Sequence, residues 1–189
     1  GILNGAFYRC EALKSINIPN GIKKIWSHCF QGCISIANIE IPEGVVSIGR
    51  KAFCDCSSLK VVSLPKTLTE IGKLAFWGCI SLEDIQIPEN VVYIGNNAFA
   101  DCIGLTDIHV PTSIINIFQN ALNADVTIDK HSKIIKIEWT IEQKNKEYTG
   151  CRFEKYSEDD YLAREDSNLP SYALDTDAFN DGNIYDEDA

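Results

Sequence analysis

Eight cysteines and three histidines are the side chains of this 189-residue sequence best suited to nucleophilic, redox or metal chemistry, so their spacing decides what chemistry is open to it. Five of the cysteines, Cys10, Cys33, Cys56, Cys79 and Cys102, recur every 23 residues. A structural zinc site needs two short-spaced Cys or His clusters. Cys54-x-Cys56 and Cys29-x-x-x-Cys33 have some of that spacing, but neither is paired with a second cluster. Cysteines stacked in register would bring their Cα atoms within disulfide range, yet their parallel Cβ vectors do not converge for an unstrained bridge. Three readings therefore stand: small buried thiols acting as apolar filler, disulfide bridges, or metal ligands. Cys29 falls in a core position of the repeat, which leaves Cys54 and Cys151 as the expected exposed thiols.

The histidines do not build a catalytic constellation. His28 and His109 fall on variable outward positions of the repeat, and His131 lies past its last full unit. No Ser, Cys or Asp recurs beside them as a nucleophile held by a base and an orienter. The sequence also lacks G-x-x-x-x-G-K-[ST], G-x-G-x-x-G and H-E-x-x-H. No enzymatic activity and no cofactor are expected. One acidic stretch has metal-like spacing: residues 177–188 place Asp177, Asp181 and Asp188 at positions 1, 5 and 12 of a twelve-residue loop, with Gly182 at the sharp turn. This resembles EF-hand or dockerin calcium loops. Phe179 stands where an oxygen ligand belongs, so a chance match within a solvated acidic run competes with the calcium reading.

The elements that position these residues follow from the same period. Phe7, Phe30, Phe53, Phe76 and Phe99 return every 23 residues, with Leu122 expected in the next slot, and Pro19, Pro42, Pro65, Pro88 and Pro111 keep step. A fixed period of this length marks a stack of units that bury their apolar faces only against one another. Within a unit, Leu59-x-x-Val62-x-Leu64-Pro65 alternates as a short strand ended by proline. The first unit repeats the pattern with Leu13, Ile16 and Ile18. Leu68 and Ile71 form a second apolar pair, and Gly72 leads into an expected helical turn before Ala75-Phe76.

The combination L-x-x-I-x-I-P, I-G and A-F-x-x-C over residues 2 to 128 resembles the BspA-type leucine-rich repeat. That resemblance implies a right-handed repeat solenoid, rich in β structure, with short helical turns and a parallel sheet on one face. It also implies a cell-surface or secreted setting and adhesion to a protein ligand such as matrix or glycoprotein. An architectural spacer and a targeting or accessory segment of a larger enzyme are the alternatives. Three regions are expected: the repeats at 1–125 in five units, a hairpin-like β cap at 126–156 with Trp139 as its lid, and an acidic tail at 157–189, either disordered or folded back. The chain opens inside a unit at Gly5-Ala6-Phe7, so further repeats are expected before it in a longer protein.

Charge narrows the partners. Residues 1–125 are net −2, residues 126–153 net +2 and residues 154–189 net −10. The tail's surplus argues against nucleic acid or an anionic membrane there, and no apolar run reaches the length of a membrane helix. Binding is expected on the outward strand positions, Asn17, Asn38, Glu40, Ser63, Asp84, Gln86, Asp107 and His109, together with Ser15 and Val61. These are polar and turn acidic toward the C-terminus, which suits a polar or basic protein. A second expected patch joins Tyr8, Trp26 and Trp77. The oligomeric state is not encoded in any of these features.

Overall fold

The computed structural model describes residues 4–115, 118–129 and 133–145, all within the unit Gly1–Cys151. Its strands are β1 (Lys24–Ile25), β2 (Asn38–Glu40), β3 (Ser47–Ile48), β4 (Val61–Ser63), β5 (Glu70–Ile71), β6 (Tyr93–Ile94), β7 (Asp107–His109), β8 (Asp125–Asp129) and β9 (Ile134–Glu138). Each repeat makes one coil, and the repeat length becomes the register between coils. β2 and β4 pair in parallel from Asn38↔Val61 to Glu40↔Ser63, and the bridges Val61↔Asp84 and Gln86↔His109 carry that side of the stack on to β7. Along each strand the middle residue is buried and its neighbours are exposed, the period-two pattern of a sheet with one wet face. The following proline begins a turn. The carbonyls of Pro42, Pro65, Pro88 and Pro111 accept bonds of 3.0–3.3 Å from the N–H three residues on.

β1, β3, β5 and β6 form a second parallel sheet in the same 23-residue register, with Ile25, Ile48, Ile71 and Ile94 turned inward. The glycine after each of the last three isoleucines lets neighbouring backbones touch. A Cβ on Gly49 would lie 2.6 Å from the Ser27 amide nitrogen, and one on Gly72 would lie 2.7 Å from the Gly49 carbonyl carbon.

The remaining side of each coil differs from the expected helical turn. His28, Lys51, Leu74 and Asn97 have φ of 56–59° or, at Lys51, 53°, and Arg9, Asp55 and Asp101 repeat the left-handed state four residues later in the unit. A left-handed residue interrupts a right-handed helix, so these segments are linked tight turns. Among the described residues only the last unit has a 3-10 helix here, Phe118–Ala121.

Inside, the phenylalanine rings stack in one column from Phe7 through Phe30, Phe53, Phe76 and Phe99. Their centroids lie 5.2–5.3 Å apart and their planes are within 7° of parallel. The next rung is Phe118, 5.7 Å from Phe99 and tilted by 22°, not Leu122. A large ring four residues earlier takes the place that the repeat pattern assigned to leucine. The first coil also departs from expectation: residues 13–18 make no strand, and Leu13 and Ile16 are only half-buried.

Past the last coil, β8 and β9 form an antiparallel hairpin, and β9 pairs antiparallel with β7 through Asp107↔Lys136, Ile108↔Ile135 and His109↔Ile134. Trp139 is buried, and its Nε1 donates to the Leu105 carbonyl at 2.6 Å. The strand alternation then stops, because α1 (Ile141–Asn145) begins with a capping box. The Thr140 N–H donates to Gln143 Oε1 at 2.9 Å, and the Gln143 N–H donates to Thr140 Oγ1 at 3.2 Å. Ile141 is accordingly exposed. The second arm expected through Thr149, Cys151 and Phe153 lies outside the described residues.

Candidate interaction face

The cysteine column is built by the stack rather than by any one unit. The turn through Phe30 points the next coil's Cys56 thiol at the Phe30 carbonyl, and the pattern repeats: Cys33 Sγ donates to Phe7 O, Cys56 to Phe30 O, Cys79 to Phe53 O and Cys102 to Phe76 O, at 3.0–3.2 Å. These thiols are S–H donors to backbone carbonyls, a more specific role than apolar filler. Burial pushes the Cys33 thiol up to about 11 and the Cys29 thiol up to about 12, and it raises Cys56, Cys79 and Cys102 further. A thiol that keeps its proton is a poor nucleophile and a poor metal ligand. None of the described cysteines is in a disulfide.

Two of the cysteine expectations are corrected. Cys54 is fully buried, 3.5 Å from Asp55 Oδ2, because its column lies between successive turns. Cys10, counted with the buried row, is exposed on the outer side of the first coil. Cys151 lies outside the described residues.

The same geometry revises the aromatic patch. Tyr8 is exposed and Trp77 half-buried, but Gln31, Cys54 and Ala100 in that column are buried, so the column presents no continuous surface. Trp26 sits apart, with Lys24 Nζ 4.6 Å from its ring centroid. A concavity of about 630 Å³ there is lined by Pro19, Asn20, Gly21, Ile22, Lys23, Lys24 and Trp26. Its lining offers no thiol, imidazole or carboxylate for catalysis.

The histidines remain apart as well. His28 Nδ1 lies 2.6 Å from Gln31 Oε1, His109 is on the strand face, and His131 is outside the described residues. Among the described residues no group of three or more His, Cys, Asp or Glu could hold a metal ion. Asp177, Asp181 and Asp188 lie outside them.

The strand face is where polar side chains converge. Asn38, Glu40, Ser63, Asp84, Gln86, Asp107 and His109 are all exposed, and the parallel register aligns them in two columns. Val61, 47% exposed, stands between Asn38 and Asp84 in one of them. Asn17 is exposed too, but it belongs to the strandless first coil.

Sequence reasoning missed the far end of this face. The pairing of β9 with β7 sets Lys136 directly opposite Asp107, and β8 adds Thr127 beside Lys136; all three are exposed. The alternation of Ile135 and Ile137 with Lys136 was the available signal for a strand, but it did not say which neighbour that strand would join. The acidic run therefore ends in a cation. Asp107 accepts a 3.3 Å hydrogen bond from the adjacent Thr106 Oγ1.

The comparisons with known proteins agree with this repeat geometry. Residues 1–136 match the description "BspA type Leucine rich repeat region" in six copies. A leucine-rich repeat protein from Bacteroides ovatus is 39% identical with a TM-score of 0.56, over 58% of this chain and 28% of its own. A leucine-rich cell surface protein from Faecalibacterium prausnitzii is 40% identical with a TM-score of 0.51, over 56% of this chain and 30% of its own. The matched region thus spans less than a third of either structure. No match is found among curated proteins, and no helix of the described residues is long and apolar enough to cross a membrane. Proteins of this kind generally act as protein-interaction modules. The 23-residue register, the stacked phenylalanines and the six matched copies together place the chain in the BspA-type leucine-rich repeat family.

Proposed function

We infer that this chain is a non-enzymatic recognition module whose outward strand face binds an extended segment of a protein partner at a cell surface. The observation that carries the reading is the in-register polar face, with Val61 exposed in its midst. Coils at about 4.8 Å per rung present a surface roughly 20–25 Å long, enough for six or seven extended residues. The Faecalibacterium neighbour, described as a cell surface protein, supports the setting. In this reading the coils wind as a right-handed solenoid over residues 1–125, residues 126–156 cap its end, and matrix proteins or glycoproteins are the partners.

Surface plasmon resonance against a panel of extracellular-matrix proteins and glycoproteins tests the proposal. At least one should bind wild-type chain, and Asp84→Lys with Asp107→Lys should abolish that binding. Capture that survives the double substitution moves the site off the strand face.

A further inference from the structure

We propose that the strand face selects an extended peptide by the order of its charges: an apolar residue, then a basic one, then an acidic one, each separated by a single residue. The inference rests on the strand-face reading and adds the chemistry of the ligand. It begins from one column of exposed side chains running across the strands: Asn38, Val61, Asp84, Asp107, Lys136 and Thr127. Gln86↔His109 fixes Asp84 opposite Asp107, and Asp107↔Lys136 continues the column across the antiparallel junction. Its chemistry is polar, apolar, acidic, acidic, basic, polar.

A peptide crossing these strands has a different repeat from the rungs beneath it. Rungs are about 4.8 Å apart, so with Val61 as origin Asp84 lies near 4.8 Å, Asp107 near 9.6 Å and Lys136 near 14.4 Å. An extended peptide rises about 3.4 Å per residue and turns alternate side chains to one face, so its facing residues fall near 0, 6.8 and 13.6 Å. The first then sits over Val61. The second falls between the two carboxylates, where an arginine can reach both. The third arrives within an ångström of Lys136, where a glutamate or aspartate is favoured. The mismatch of the two spacings is what lets one cation answer two adjacent aspartates.

Charge order should therefore matter more than composition. Fluorescence anisotropy with two labelled peptides of identical composition tests this: leucine-serine-arginine-serine-glutamate and its permutation leucine-serine-glutamate-serine-arginine. The permutation is mismatched whichever way the peptide runs. The first peptide should bind roughly tenfold more tightly at low salt, each exposed charge contact contributing a few-fold, and the difference should shrink as salt is added. Lys136→Glu should reverse the preference at the last position, favouring arginine over glutamate there. Equal binding of both peptides, binding of neither at millimolar concentration, or indifference to Lys136→Glu overturns the charge-order proposal.

The strand-face reading fails separately. If both peptides bind equally and both are lost in Asp84→Lys with Asp107→Lys, the face binds but does not read charge order. If binding ignores that double substitution, both ideas fall. The substituted positions are exposed, and a thermal melt matching wild type shows that the variants are folded.

Discussion

In the first coil Leu13 and Ile16 are half-buried, Cys10 is exposed and residues 13–18 make no strand. In the last full coil the equivalent Leu105 and Ile108 are 0% and 1% exposed, and β7 is joined to the stack on one edge and to β9 on the other. The repeat letters at the two ends are nearly the same. What differs is what covers them: the far side of β7 is occupied by an antiparallel strand, and Trp139 closes over Leu105. A repeat unit of this kind does not carry its own core; burial and strand formation are supplied by the neighbour.

That contrast is tested most strongly by truncating the ring column at two depths. Phe53→Ala removes a fully buried ring stacked at 5.2 Å on both Phe30 and Phe76, and should cost about 3–5 kcal/mol in urea denaturation. Phe7→Ala removes a half-buried ring with the single stacked neighbour Phe30, and should cost about 1–2 kcal/mol, partial burial scaling the loss. Equal losses at the two sites would show that the first coil is as well supported as the centre.

The columns of Ile, Leu, Phe, Cys and Pro were legible because each is a side-chain type repeated at one spacing, and stacking turns spacing into contact. Features that depend on backbone handedness were not. Lys51 and Leu74 occupy left-handed positions that nothing in their side chains announces, so a helical turn was expected where linked turns stand. Phe118 entered the ring column from the position that Gly49, Gly72 and Gly95 hold in earlier units, a replacement whose stacking on Phe99 no spacing announces. For the face, the outward residues followed from alternation. Lys136 did not, since a strand's period says nothing about whether its partner runs parallel or antiparallel. The exposure of Cys10 and burial of Cys54 were misplaced for a related reason: a shared spacing does not fix how each position is covered by its neighbours.

The junction of β7 with β9 can be loosened without emptying it. Trp139→Phe retains most of the ring but removes the donor to the Leu105 carbonyl, which is held at 2.6 Å in a buried setting. Leaving that acceptor unpaired should cost about 1–3 kcal/mol, and amide exchange of β7 and β9 should speed up before that of β2 and β4. Uniform acceleration across all strands would mean that the last coil is not a separable end and that the stack opens as one unit.

The finest discrimination between the half-buried first coil and the buried ones comes from the thiols. Burial holds Cys33 at about 11 and Cys29 at about 12, against an ordinary 9.0, so between those values the folded chain keeps protons that the unfolded chain releases. Stability from this source is fully present below pH 9 and is lost as pH rises toward 11 and then 12. Melting temperature should therefore fall with rising pH above this threshold. Cys33→Ser keeps a donor for the Phe7 carbonyl and removes the titration, so it should flatten part of that slope. Thiol labelling by a disulfide reagent at neutral pH gives the complementary readout: Cys10→Ser should remove one fast-reacting equivalent and Cys33→Ser none. If Cys33→Ser removed a fast-reacting equivalent as Cys10→Ser does, Cys33 would be as exposed as Cys10, and the contrast between the two coils would lose its physical basis.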